Sequence, residues 1–210
     1  MTVFAVVRGA GPRRDPAKPL REQDAWDEHA AFMDGLVDAG LVLLGGPLGD
    51  GRRALLVCRA ADEREVERRL DDGDPWIPLG LIATERVEPW DLLLGRETLG
   101  APAPGALTGL FAVTLTCGRG WDPARPRREQ DGWDEHAAFM DGLVDAGVVL
   151  LGGPLGEGER VLVVVLAGGG EAGVRERLAA DPWLRAETLE IATIEPWTIW
   201  LDGRRPAAAA

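Results

Sequence analysis

The sequence predicts an α+β protein built from two βαββαβ units. The first observation is a repeat: REQDAWDEHAAFMDGLVDAGLVLLGGPLGD at 21–50 returns at 128–157 with three differences. The second is its offset of 107 residues, which also relates Phe4 to Phe111 and Trp90 to Trp197 near the ends of each copy. A period of about a hundred residues indicates two domains of ordinary size rather than a solenoid.

The first strand and the first helix follow from local pattern. TVFAVVR at 2–8 is rich in Val and Phe and predicts a strand. Residues 24–39 carry apolar side chains three and four positions apart, including Trp26, Met33 and Leu36, which predicts a helix with a broad buried face. Gly40 is placed to end it as a C′ glycine.

The rest of each copy completes the unit. LVLLGG at 41–46 and ALLVCRA at 54–60 predict two strands joined by a hairpin, because Gly and Asp between them favour a turn. A charged helix follows at 62–72, with a counterpart that ends near Ala180, and a last strand precedes Pro89 and Trp90. The order βαββαβ is that of a ferredoxin-like unit.

The domain boundaries follow from the same repeat. We expect the first repeat at 1–97 and the second at 109–203, joined by a linker at 98–108 that is rich in Gly, Pro and Ala. Residues 204–210, RRPAAAA, are expected to form a disordered tail.

Composition restricts the class of protein and its partners. The chain is 46% hydrophobic and 28% charged, without an apolar run of about 18 residues, which predicts a soluble globular protein that does not contact the membrane. The start of the chain favours a strand over a signal peptide, so we expect a cytoplasmic protein. A net charge of −12 without a Lys/Arg stripe argues against a nucleic-acid partner.

Cysteine and glycine patterns indicate neither a metal site nor a cofactor. Cys58 corresponds to Val165 and Cys117 to Ala10, so the copies share no thiol and no metal-ligand spacing. GGPLG at 45–49 lacks the Lys and Ser/Thr of a phosphate-binding loop and predicts a tight hairpin. We therefore expect no metal and no cofactor.

The two histidines, His29 and His136, occupy the same position in both copies. Side chains three or four residues away on the predicted helix, such as Trp26 and Met33, are apolar. Each imidazole is thus expected on a buried or cleft-facing side, without a carboxylate partner from its own helix. Such a ring is either a satisfied core residue or part of a functional site.

Asp74 and Asp181 are the expected partners of these histidines. Each opens a D-P-W triplet after the second helix, where the proline restricts the preceding backbone and aims the carboxylate. We predict a distance of about 2.6–3.2 Å between an imidazole nitrogen and a carboxylate oxygen in both pairs. The alternative is that each aspartate caps a short helix with proline at its first position, and a residue can do both.

These motifs together resemble the YCII-related family: a strand, a helix with a lone histidine, a G-P turn at Gly46-Pro47 and Gly153-Pro154, and a D-P-W triplet. The resemblance covers nearly all of both copies and implies a dimeric α+β barrel, in which two ferredoxin-like units pack their sheets together. It also implies an active site built from the histidine and the aspartate. Most members have no assigned reaction, and one is a dehydrochlorinase of chlorinated hydroxyquinols. Members usually supply the second unit from another chain, whereas this chain contains both.

Two functions remain open at this stage. One is a small-molecule enzyme in which His29, Asp74, His136 and Asp181 act as general acid/base pairs in lyase or dehydrochlorinase-like chemistry. The other is a small-ligand-binding or accessory protein whose His-Asp pairs are structural. The expected substrate-binding residues are Trp26, Phe32, Met33, Gly46, Pro47, Trp76 and their counterparts Trp133, Phe139, Met140, Gly153, Pro154 and Trp183. As both units are in one chain, we expect a monomer or a homodimer of barrels.

Overall fold

The computed structural model describes residues 1–100 and 107–204. The chain divides into two compact units: within the described residues, the first comprises 1–90, 99–100 and 197–204, and the second comprises 91–98 and 107–196. Most of the predicted linker and most of the predicted tail, 101–106 and 205–210, lie outside the described residues. None of the described helices combines the length and the hydropathy that a membrane-spanning helix needs.

The first unit has a four-stranded sheet with the order β4-β1-β3-β2, in which β1–β3, β1–β4 and β2–β3 pair antiparallel. Three helices accompany it. The elements are β1 (Thr2–Ala10), α1 (Trp26–Asp38), β2 (Val42–Leu48), β3 (Arg53–Ala60), α2 (Glu63–Asp71), α3 (Trp76–Leu79) and β4 (Ile82–Pro89).

Apolar periodicity explains how the helices of the first unit are held. Met33 and Leu36 of α1 and Val66 and Leu70 of α2 pack into one buried cluster with side chains of β1 and β3. The helix α2 begins where Asp62 accepts the backbone N–H of Glu65, which satisfies one of the free donors of its first turn.

The second unit repeats this order. Its sheet has the order β8-β5-β7-β6, and its core combines α4 and α5 with the sheet. The elements are β5 (Leu110–Cys117), α4 (Trp133–Asp145), β6 (Val149–Leu155), β7 (Arg160–Leu166), α5 (Gly170–Leu178), α6 (Pro182–Arg185) and β8 (Leu189–Trp197). The predicted βαββαβ succession is therefore present in both units, with a short additional helix after each D-P-W aspartate.

The segment that follows β8 lies on the first unit. A two-residue strand, β9 (Leu201–Asp202), pairs with β2. Thr198 and Trp200 donate backbone N–H groups to the carbonyl oxygens of Pro47 and Gly45, at 3.1 and 2.9 Å. The predicted strands and helices did not include this segment, which contributes Trp200 to the first-unit cavity described below.

Gly46 is required where this segment crosses β2. A Cβ atom at Gly46 would overlap the carbonyl oxygen of Thr198. We expect Gly46→Ala to lower the free energy of unfolding by about 1–3 kcal/mol, because the added atom forces backbone apart. Gly35→Ala is the control: apart from its chain neighbours and the backbone of its own helix, no described atom lies within 4 Å of the added Cβ, and alanine favours the helix by up to about 1 kcal/mol. Urea denaturation measures both, and equal effects would contradict this role of Gly46.

Candidate active site

In the first unit, His29 of α1 meets Asp74, which lies just before α3. The distance from Nδ1 of His29 to Oδ1 of Asp74 is 2.9 Å, within the range predicted from the sequence. The same Oδ1 accepts the backbone N–H of Trp76 at 2.9 Å. Oδ1 of Asp74 therefore binds both the imidazole and the first backbone N–H of α3, although the N-cap residue of this helix is Pro75 and not Asp74.

Arg8 on β1 completes the site from the other side of the carboxylate. Its Nη1 donates to Oδ2 of Asp74 at 2.8 Å, and Nη2 lies 3.6 Å from Oδ1 of Asp71. Arg8 and Asp74 are each 1% exposed. A buried charge pair of this kind needs close geometry to offset its desolvation, and Arg8 provides that geometry by fixing the second carboxylate oxygen.

The imidazole of His29 also stacks on an indole ring. The ring centroids of His29 and Trp76 are 3.8 Å apart and the planes differ by 2°. Trp76 is itself held by a hydrogen bond from Nε1 to the carbonyl oxygen of Asp24, at 2.8 Å. With one nitrogen bound and one face covered, the ring has little freedom to turn. No described residue hydrogen-bonds its other nitrogen, Nε2.

The second unit has the same pair and the same stack. Nδ1 of His136 lies 2.8 Å from Oδ1 of Asp181, and that oxygen accepts the backbone N–H of Trp183 at 2.9 Å. The His136 and Trp183 centroids are 4.1 Å apart with planes 7° apart. Asp181 is the N-cap residue of α6, with Pro182 at its first position.

The two sites differ at the arginine. Leu115 stands in β5 at the position that corresponds to Arg8, and it is 2% exposed. Leu178 and Ala179 stand where Asp71 and Asp72 occur in the first unit. Oδ2 of Asp181 is consequently buried without a hydrogen-bond partner among the described residues.

Each unit has a small cavity beside its histidine. The first, of about 190 Å³, is lined by His29, Trp26, Met33, Gly46, Pro47 and Trp76 of the predicted set. The second, of about 220 Å³, is lined by His136, Trp133, Met140, Gly153 and Pro154. Three predicted residues do not line these cavities: Phe32 and Phe139 pack against the cores, and Trp183 lies behind the imidazole it stacks on.

The charge state of Asp74 follows from its contacts. Burial alone would raise the pKa of Asp74, but the hydrogen bond from His29 and the charge of Arg8 together hold this pKa below its ordinary value. The carboxylate is thus ionised at neutral pH and can only accept hydrogen bonds. Nδ1 of His29 must then donate the hydrogen of this bond, so in the neutral form of the ring the lone pair is on Nε2.

This pKa predicts an acid-sensitive step in stability. Because the pKa of Asp74 is lower in the folded than in the unfolded chain, ionised Asp74 adds its full stabilisation above about pH 4, and this is lost as pH falls through the folded pKa. We expect urea midpoints of the wild type to fall from pH 5 to pH 2.5, and those of Asp74→Asn to fall less. Parallel curves for the two proteins would contradict this contribution.

Burial raises the pKa of both cysteine thiols. Burial raises the pKa of the Cys58 thiol to about 12, so it stays protonated and packs in the core. Burial also raises the pKa of Cys117. Among residues 1–100 and 107–204, no group of three or more His, Cys, Asp or Glu side chains could hold a metal ion.

Comparison with known proteins identifies the fold. No protein-family model and no curated protein matches the sequence. The crystal structure of a candidate chlorite dismutase aligns with a TM-score of 0.63 and 12% identity over 97% of each chain. A haem-binding protein from Thermus thermophilus aligns with a TM-score of 0.57 and 14% identity over 94% of this chain and 90% of the other. These likenesses confirm the predicted fold class, an α+β protein with ferredoxin-like units of the dimeric α+β barrel type.

Proposed function

We propose that the chain is a YCII-like enzyme that uses His-Asp pairs as general acids and bases on a small organic molecule, without a cofactor. The observation that carries this proposal is the state of His29. Its Nδ1 is bound to an ionised, arginine-held Asp74, while Nε2 has no hydrogen-bond partner among the described residues and the ring lines a cavity. A neutral imidazole oriented by a carboxylate is the arrangement of a general base.

The chemistry available to such a base is proton transfer with loss of a leaving group. Nε2 takes a proton from an O–H or activated C–H bond, the freed electron pair forms a new π bond, and a leaving group such as chloride departs with its bonding electrons. The substrate then loses HCl overall, and no oxidant or reductant is consumed. Asp74 supports the step by stabilising the imidazolium that forms.

Haem does not fit either cavity. Their volumes of about 190 and 220 Å³ fall below the roughly 300–1,000 Å³ of sites for drug-sized ligands, and a haem is larger than such ligands. The proposed reaction therefore does not extend the haem binding of the Thermus thermophilus protein to this chain.

A binding or accessory protein without turnover is the second candidate. It is favoured by the capping contacts, because Asp74 and Asp181 each hold the backbone N–H of a tryptophan and would be needed for the fold alone. In that case the His-Asp pairs are structural.

An activity assay with a chlorinated hydroxyquinol distinguishes the enzyme from the binding protein. Chloride release by the purified chain is measured with an ion-selective electrode, alongside deuterium uptake from D₂O into a panel of phenols and hydroxy acids by NMR. The enzyme proposal expects turnover or exchange that disappears in the double variant His29→Gln/His136→Gln. Activity that survives in this variant would remove the histidines from the mechanism, whereas no turnover or exchange of any compound by the wild type would favour the second candidate.

A further inference from the structure

The first-unit cavity has a buried and an exposed end. His29, Met33 and Trp76 line it and are at most 8% exposed, whereas Trp200 also lines it and is 41% exposed. Trp26 lies between these ends, with ring centroids 5.7 Å from Trp76 and 5.9 Å from Trp200. The cavity therefore has an aromatic wall that leads to the imidazole, which suits a flat ligand.

The charges around this cavity contrast with those of the whole chain. The net charge of the protein is −12, yet five arginines and one carboxylate line this cavity: Arg8, Arg14, Arg21, Arg52, Arg53 and Asp34. Clefts lined by one sign of charge concentrate ligands of the other sign. An anionic ligand is thus favoured.

Two of these arginines have no carboxylate within ion-pair distance among the described residues. Arg8 is bound to Asp74 and Arg52 lies 3.5 Å from Asp50, but no described carboxylate forms an ion pair with Arg14 or Arg21. Arg21 lies over the Trp200 and Trp26 rings, with Cζ 4.9 and 5.9 Å from their centroids. An arginine stacked in this way keeps its N–H groups free to bind an anion.

Arg14 and Arg8 also have N–H donors at this cavity without a hydrogen-bond acceptor among the described residues. Burial lowers the pKa of the Arg14 guanidinium, whose one hydrogen bond goes to the carbonyl oxygen of Arg52 at 3.4 Å. Arg8 lines the same cavity with Nε and Nη2 buried and without hydrogen-bond partners among the described residues. Buried donors of this kind are normally satisfied.

We infer that the first-unit cavity binds a small aromatic carboxylate. Arg14 and Arg21 bind the carboxylate group, the ring lies against Trp26 and Trp200, and the far side of the ring faces Nε2 of His29. A carboxylate is favoured over a neutral polar group because guanidinium binds it through parallel, charge-assisted hydrogen bonds. This inference rests on the proposed function, since it names the substrate class of the same site.

The second unit provides a contrast within one chain. Trp121 stands at the position of Arg14, and Leu93 at that of Trp200. Arg128, the counterpart of Arg21, lies over Trp133 with Cζ 5.8 Å from the ring centroid. Arg127 also lines the second cavity, but its guanidinium donates to the carbonyl oxygen of Gly158 and lies over Trp121, and the outer end of the aromatic wall is missing because Leu93 replaces Trp200. We therefore expect one tight carboxylate site per chain.

Calorimetric titration with benzoate and its neutral isostere benzamide tests the inference. We expect one benzoate per chain, bound at least about tenfold more tightly than benzamide, and a loss of about tenfold in affinity for Arg14→Gln and for Arg21→Gln. Arg128→Gln is the matched control and should bind like the wild type.

Equal affinity for the two compounds, no binding of benzoate, or an equal loss in Arg128→Gln would overturn the inference. Binding does not require the general base, so His29→Gln should still take up benzoate. These measurements distinguish the two proposals. If the wild type binds benzoate but turns over no compound, the carboxylate site is supported and only the proposed enzymatic function is contradicted.

Discussion

Asp74→Asn is expected to lower the free energy of unfolding by about 3–5 kcal/mol, because it removes the carboxylate that binds the buried Arg8 guanidinium and leaves only the more distant, partly exposed Asp71 beside it. The two side chains are 2.8 Å apart at Oδ2 and almost fully excluded from solvent. The amide also weakens the hydrogen bond to His29, but loss of the charge pair is the larger effect. Urea denaturation followed by far-UV circular dichroism measures the change.

Asp181→Asn is the matched control in the second unit. Leu115 replaces the arginine there and Oδ2 of Asp181 has no hydrogen-bond partner in the described residues, so only the contact with His136 is weakened. We expect a loss of about 0.5–1.5 kcal/mol. The double variant Arg8→Leu/Asp74→Asn should recover much of the loss of Asp74→Asn, since it removes both charges. Equal losses in Asp74→Asn and Asp181→Asn would show that Arg8 does not set the cost.

The fold could be predicted from the sequence because its signals are local and repeated. The apolar spacing from Trp26 to Leu36 and the glycine at 40 define α1, which ends at Asp38 with Gly40 in a left-handed conformation. The offset of 107 residues then transfers each element to the second unit. The structural comparisons confirm the resulting fold class.

Contacts between distant segments of the sequence were harder to foresee. Arg8 escaped prediction although a signal exists: it shares one strand face with Phe4 and Val6, both buried, and a charged residue on such a face needs a partner. Its counterpart in the second unit, Leu115, is a buried apolar residue, as is usual at a core position. Trp200 carried no comparable signal, because its place depends on where the chain runs after β8.

The near-identical block, 21–50 and 128–157, forms the same parts of the site in both units. It contains the histidine helix and the Gly-Gly-Pro strand that lines the cavity, whereas the residues that distinguish the two sites, Arg8 and Trp200, lie outside it. The copies therefore share the imidazole and the cavity wall, and differ in what surrounds them. This predicts that His29 and His136 contribute unequally to the proposed activity.

His29→Gln/His136→Gln is expected to lower kcat by about 100- to 10,000-fold on a substrate found by chloride release or deuterium exchange, because glutamine keeps a polar group but cannot take up a proton. Of the single variants, His29→Gln should cause the larger loss, since only Asp74 is held by an arginine and only the first cavity has the stacked Arg21 and Trp200. His136→Gln should keep at least about half of the activity.

Unfolding midpoints of each variant separate loss of the base from loss of the fold. The imidazole of His29 contributes one hydrogen bond and one stacking contact, so the expected cost in stability is about 1–2 kcal/mol, far less than the effect on kcat. A double variant that stays folded and active would remove the histidines from the mechanism. Equal losses in the two single variants would instead make the two sites equivalent and assign Arg8 to the stability of the first unit alone.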